Sequence, residues 1–193
     1  MSLKATDALL AVDVQRDFLP GGALAVADGD AVLPALARCI TTFAERGLPI
    51  VASRDWHPPD HCSFRENGGP WPPHCIAGTP GAEIHPALAL PAGAIVISKA
   101  TMRAKDAYSA FDGTNLDEQL TETGVERLFI GGLATEICVL NTARDALDLD
   151  YEVVLIVDAM RGIDAAESDK AIESLVQRNA TVTESSAVAD AGQ

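Results

Sequence analysis

Short aliphatic runs alternate with segments of helical spacing along the whole chain. Residues 9–14 (LLAVDV), 49–53 (PIVAS), 94–98 (AIVIS), 127–131 (RLFIG) and 152–157 (EVVLIV) are brief and almost unbroken in their apolar character. Runs of that kind predict strands buried on both faces rather than strands with one wet side. Residues 181–184 read as a short last strand. From Asp30 to Arg46 the apolar positions Val32, Leu33, Leu36, Ile40, Phe43 and Ala44 recur at helical spacing, with Asp30 placed to cap the helix and Gly47 to end it. Further helices are expected over about 116–123, 136–149 and 165–178. Strands separated by helices imply right-handed crossovers and a three-layer α/β/α arrangement around a mostly parallel sheet. Ligands of such sheets sit outside the carboxyl ends of the strands.

Composition narrows this picture. The 193 residues fit one domain, 1–193, with no repeat or linker, interrupted by a segment at about 54–92 that holds eight of the 11 Pro and all four His. Fourteen Lys and Arg against 28 Asp and Glu leave a net charge of -14, which argues against nucleic-acid phosphates as a partner. No apolar run approaches the roughly 20 residues needed to cross a bilayer, so no membrane partner is expected. The first residues, MSLKATD, lack the apolar stretch of a secretory signal. Four Cys are too few for a disulfide scaffold. A cytoplasmic protein is expected, and assembly of identical copies is left open.

The polar residues that interrupt this pattern gather at one edge. Asp13 lies near the end of the first strand, Asp55 just past the second, Lys99 after the third, Cys138 after the fourth and Asp158 at the end of the fifth. Singly, each has an ordinary explanation: a buried salt bridge for Asp13, a solvated strand end for Lys99, a small buried hydrophobe for Cys138. Together they form a nucleophile set. A carboxylate can take the thiol proton, the sulfur can attack an amide carbon, and the carboxyl group can return the proton to the leaving amine. An ammonium beside both, and the first turn of a helix around Cys138, would favour the thiolate.

Three of the four His fall within 18 residues, in RDWHPPDHCSF and WPPHC. Asp55 and His57 alternate and so share one side of an extended stretch, while His61 and His74 can converge through the loop. A carboxylate with imidazoles suits one divalent zinc, iron or manganese ion. Cys62 and Cys75 flank this cluster without the spacing of a zinc knuckle. Phe18, Trp71 and Tyr108, three of nine aromatics, are candidates for walls around a flat ring. His85 is assigned only a turn role, and Gly131–Gly132 do not make a dinucleotide fingerprint.

In AVDVQRDFLPGGALAV, SRDWHPPDHCSF, WPPHCIAGTPGAEIHP, the Lys99 passage with AYSAF, and GLATEICVLNTARDAL, taken in that order, the chain resembles the nicotinamidase/pyrazinamidase group of the isochorismatase-like cysteine hydrolases. The resemblance runs from about Ala8 to Glu184. It implies a six-stranded sheet in order 3-2-1-4-5-6, with Asp13, Lys99 and Cys138 as the catalytic triad. It implies metal ligands Asp55, His57 and His74, with His61 a ligand in some members only, and zinc as the first candidate metal. Phe18 and Trp71 would sandwich a pyridine ring, with Leu133 and Tyr108 also near substrate. A cis Leu133–Ala134 peptide is implied, with the N–H groups of Ala134 and Cys138 as an oxyanion hole. The activity implied is hydrolysis of nicotinamide to nicotinate and ammonia in NAD salvage, with pyrazinamide as a second small-molecule substrate. Glu136 and Ile137 depart from the usual Asp followed by an aromatic or His, which bears on ring-substituent preference. Two other readings stand beside it: a related hydrolase of another small amide or carbamoyl compound, and a non-catalytic metal-binding module.

Overall fold

The computed structural model describes residues 2–190. Six strands form one sheet: β1 (Asp7–Val12), β2 (Ile50–Asp55), β3 (Ile95–Lys99), β4 (Arg127–Leu133), β5 (Glu152–Arg161) and β6 (Thr181–Thr183). Their spatial order is β3-β2-β1-β4-β5-β6, and every pairing is parallel. The fold is therefore the one expected, down to the strand order. The helices are α1 (Val32–Glu45), α2 (Leu116–Glu122), α3 (Leu140–Asp148), α4 (Ala165–Val176) and α5 (Ser185–Asp190).

β1 and β4, at the centre, are buried at every position, which is why their runs are unbroken rather than alternating. Two apolar clusters lie against the two faces of the sheet. One joins Leu9, Leu36, Phe43 and Phe129 to α1 and to Val188 of α5; the other joins Leu10, Leu128 and Ile130 to Leu116, Ala143 and Leu175 of α2, α3 and α4. Gly132 has φ +135, and a Cβ there would fall 2.0 Å from the Val12 carbonyl oxygen. Only glycine lets β4 run this close to the end of β1, the point where the chemistry gathers.

Several boundaries differ from expectation; β1 ends at Val12 rather than Val14, and β4 runs on to Leu133. Asp30 does not cap α1: it lies within a 3-10 turn ahead of the helix, and Ala31 holds the N-cap position. The helix expected over 136–149 is divided into a π-helical turn, Thr135–Val139, and α3. β5 continues to Arg161, so Asp158 lies inside it rather than at its end, and its carboxylate is engaged by Ser185 and Arg38 away from the other edge residues. α5 was not anticipated, because six residues are too few to show a helical period. Among the described residues no helix is long and apolar enough to cross a membrane.

Candidate active site

Three strand ends and the π turn bring the reactive groups together. Lys99 is the last residue of β3, paired in register with Asp55, the last of β2. Asp13 follows β1 directly and takes a positive φ of 49°, which turns the chain off the sheet edge; Ala100, directly after β3, does the same at 50°. Asp tolerates this region better than most residues. The Asp13 N–H donates to the Ser53 carbonyl (3.2 Å), and the Ser53 hydroxyl donates to Asp13 Oδ1 (2.7 Å). Gln15 braces the neighbouring strand end: its Oε1 accepts from Asp55 N, and its Nε2 donates to the carbonyls of Asp55 and Ala82.

Lys99 is 1% exposed and lies at the centre of the cluster. Its Nζ is 2.5 Å from Asp55 Oδ1, 2.9 Å from Asp13 Oδ2, 3.2 Å from the Ala107 carbonyl and 3.7 Å from Cys138 Sγ. An ammonium has three protons for these four acceptors. The contact with Asp13 Oδ2 is an ion pair in distance but lacks hydrogen-bond geometry, and that oxygen accepts no hydrogen bond. One carboxylate oxygen is thus left able to receive a proton. One oxygen each from Asp13 and Asp55 and the Cys138 sulfur lie within 4.8 Å of one another. The ammonium fills the space among them, so this trio is not a cation site.

The electrostatics qualify the thiolate expectation. Burial pushes the Cys138 thiol well up; Lys99 pulls it down, but Asp13 and Asp55 add to the rise. Burial likewise raises the Asp13 carboxyl against the pull of Lys99. The resting pair therefore keeps a proton, and the sulfur is a thiol waiting for Asp13 to take it. Lys99 remains charged: burial works against it, but the Asp13 and Asp55 carboxylates raise it well above the usual lysine range. Asp55 is held down, with Lys99 overcoming the cost of burial.

Asp55, His57 and His74 are buried, and one donor atom of each lies within 4.8 Å of the others. His57 Nδ1 faces the Ala100 carbonyl at 3.2 Å, and His74 Nδ1 faces the Pro72 carbonyl at 2.7 Å. A carbonyl only accepts, so each Nδ1 carries the hydrogen and each Nε2 presents a lone pair, the arrangement of metal-binding imidazoles. Burial lowers the His74 pKa and keeps the ring neutral. His57 Nε2 is buried without a hydrogen-bond partner, 3.6 Å from Asp55 Oδ2. An orphaned lone pair beside a carboxylate and a second imidazole fits a divalent cation.

His61 stands apart from this group. Its Nε2 faces the Lys105 carbonyl (3.1 Å) and its Nδ1 the Ser63 hydroxyl (2.7 Å), while the ring stacks on His57 at 4.2 Å between centroids. With the hydrogen on Nε2 and Ser63 donating to Nδ1, no lone pair is left for an ion.

A cavity holding some 460 Å³ of empty space, mouth included, opens onto Cys138. Phe18, Trp71, Tyr108, Ala134, Ile137, Asp55, His57 and His74 are on its wall. Trp71 Nε1 donates to the Tyr108 hydroxyl at 3.2 Å, and Phe18 packs against His74 with centroids 5.6 Å apart. The Leu133–Ala134 peptide is cis. Leu133 itself is not on the wall: it ends a central strand, and its fully buried side chain belongs to the core with Leu36 and Phe129. Sequence reasoning missed Leu24, Val26, Ser63, Asp106 and Ile163 on the wall, and the braces Ser53 and Gln15. SRD and DVQ adjoin Asp55 and Asp13 in sequence, but only strand pairing shows where their side chains reach. The four cysteines are free; Cys75 is buried, its N–H donating to Asp17 (2.7 Å) and its carbonyl accepting from His57 N (3.0 Å).

A buried thiol, carboxylate and ammonium at the carboxyl edge of a parallel α/β sheet define a cysteine-hydrolase type of site. The isochorismatase domain family matches residues 7–187, and the chain belongs to that family. It is similar to the nicotinamidase of Escherichia coli K12, 39% identical over 85% of this chain and 87% of the relative. Among solved structures it resembles the pyrazinamidase of Pyrococcus horikoshii in complex with zinc, with TM-score 0.91 and 49% identity over 93% of this chain and 99% of that one. It also resembles PnC1 from L. infantum in complex with nicotinate, with TM-score 0.89 and 37% identity over 97% of both chains.

Proposed function

We propose that this chain is a metal-containing amidase that converts nicotinamide to nicotinate and ammonia, with pyrazinamide as a second substrate, in the cytoplasm as part of NAD salvage. The observation that carries the reading is the Lys99 ammonium, which holds two carboxylates and a thiol while leaving Asp13 Oδ2 without a hydrogen bond.

The ring enters between Phe18 and Trp71, and its amide carbon meets Cys138. Asp13 takes the thiol proton as the sulfur adds to the carbonyl carbon. The N–H groups of Ala134 and Cys138 receive the developing oxyanion. As the carbon–nitrogen bond breaks, Asp13 gives that proton to the departing ammonia, leaving a thioester. Asp13 then takes a proton from water, whose oxygen displaces the sulfur; nicotinate leaves and the thiol is restored. Lys99 stays an ammonium throughout and offsets the negative charge shared by Asp13 and Cys138. Asp55, His57 and His74 would hold the ion, zinc being the first candidate, which when bound supplies a Lewis acid for the lone pair of the ring nitrogen. The cavity wall carries Phe18, Trp71 and Tyr108 and no Lys or Arg, which suits a small neutral aromatic amide.

The test is ammonia release from nicotinamide, pyrazinamide and N-carbamoyl amino acids, with metal analysis of the same preparation. Turnover of the two ring amides, lost in Cys138→Ala, is expected. Preference for the carbamoyl compounds would move the protein to the related amidases. Substrate affinity unchanged after chelation would remove Asp55, His57 and His74 as ligands.

A further inference from the structure

Glu136 departs from the family pattern two residues before the nucleophile, and it does not face the cavity. Its carboxylate reaches across to the segment between β5 and α4. Oε1 accepts from the backbone N–H of Ile163 (2.8 Å) and of Asp164 (2.9 Å), and Oε2 accepts from the Ser168 hydroxyl (3.2 Å). Asp164 is the N-cap of α4, its side chain accepting from Glu167 N, so the carboxylate sits at the positive end of a 12-residue helix. Gly162 makes the approach feasible. A Cβ there would fall 2.1 Å from Glu136 Oε2 and 1.9 Å from Ser168 Oγ.

What this latch holds in place is Ile163. That side chain is 53% exposed, yet it forms part of the cavity wall together with Ile137, Leu24 and Ala134. Its backbone N–H is tied to Glu136, while Ile137, the next residue after Glu136, is on the same wall. Glu136 thus ties the nucleophile turn to the β5–α4 segment by three hydrogen bonds, and the isoleucines on its two sides, Ile137 and Ile163, line the same cavity.

We propose that Glu136 is a positioning residue that sets substrate selectivity by holding Ile163 against the cavity, and that Ile163 limits the size of substituents tolerated on the ring of the substrate. This rests on the amide-hydrolase reading above. Glu136 touches no reacting atom in this scheme. Its effect passes through the rim and is read as discrimination between substrates.

The experiment compares kcat and KM for nicotinamide and for 5-methylnicotinamide in the metal-loaded enzyme. Ile163→Ala should raise the ratio of kcat/KM for the methylated over the plain amide by about tenfold, as expected when a pocket is relieved of a clash with one methyl group. Glu136→Ala should shift the ratio the same way by several-fold, mainly through KM, because the rim is released while Asp13, Lys99 and Cys138 keep their places. Glu136→Gln retains a carbonyl able to accept both backbone N–H groups and should stay within about threefold of the parent. On the Ile163→Ala background Glu136→Ala should add nothing further, since interacting sites are non-additive. Gly162→Ala, which crowds the latch from the other side, should reproduce the Glu136→Ala pattern and serves if that variant does not fold.

An unchanged selectivity ratio in Ile163→Ala, or additive effects in the double variant, would overturn the proposal. Equal loss toward both substrates in both Glu136→Ala and Gly162→Ala would also do so, reducing Glu136 to a structural tie. Failure of the parent enzyme to release ammonia from nicotinamide would instead overturn the functional reading itself.

Discussion

β1 carries a fully buried aspartate at its start, Asp7, and another just past its end, Asp13. Asp7 meets a fork: Arg127 Nε donates to Oδ1 (2.8 Å) and Nη2 to Oδ2 (2.7 Å), and the Lys4 N–H donates to Oδ2 (2.7 Å). Each oxygen is satisfied, and the planar guanidinium holds one geometry. Asp13 meets a point charge that it must share with Asp55, the Ala107 carbonyl and Cys138, and one of its oxygens has no hydrogen bond. The two ends of one strand thus show what separates a structural ion pair from a working one. At the amino end both carboxylate oxygens are filled by fixed donors, so nothing can move without loss. At the carboxyl end acceptors outnumber protons, so a proton can move at little cost.

The sharpest break in this comparison is Asp13→Asn, which keeps the shape and removes the base. Turnover of nicotinamide should fall about 10²–10⁴-fold, the usual worth of a positioned general acid and base. The melting temperature should hardly change, because Lys99 keeps Asp55. A large thermal loss with activity retained would make Asp13 structural, like Asp7.

Asp7→Ala should do the reverse. Stranding Arg127 should cost about 3–5 kcal/mol of stability, read by urea unfolding, while kcat per folded molecule is preserved. Loss of kcat without loss of stability would show that the two ends are coupled through β1.

The smallest effect belongs to a buried group with little help of either kind. Cys39, on α1 against the same sheet, is pushed up to about 12, first by burial and then by Asp158, with Arg38 opposing. The folded state therefore holds the proton more tightly than the unfolded chain. The resulting stability is complete below the unfolded pKa of about 9 and is lost as pH rises toward about 12. Cys39→Val should flatten that alkaline decline in urea midpoints measured between pH 8 and 11. An unchanged slope would mean that the thiol contributes nothing to it.

Much of this molecule was legible in the chain. Unbroken aliphatic runs marked the central strands because both faces of the sheet are covered, and polar residues stood out at the strand ends because an aliphatic background makes them conspicuous. That is how Asp13, Asp55, Lys99 and Cys138 were found. Asp158 shows the limit: it also ends an aliphatic run, but β5 runs on for three residues and the carboxylate serves Ser185 and Arg38. His61 shows another. Four candidate ligands close in sequence were separated only by what lies around each ring, since a carbonyl and a hydroxyl occupy both nitrogens of His61 and leave His57 Nε2 free. The Leu133–Ala134 peptide is cis, as the resemblance implies, but the Leu133 side chain packs in the core rather than on the cavity wall.

Local order of apolar and polar residues was enough to mark the central strands, most of the helices, the parallel pairing and the polar residues that stand at the strand ends, since spacing is a property of neighbours along the chain. Which donor satisfies which acceptor was decided only by folding. Ser53 beneath Asp13, Gln15 across Asp55 and Glu136 across to Ile163 each join residues 27 to 40 positions apart. Hydrogen bonds act over about 3 Å, and only the packed sheet and its loops bring such residues that near.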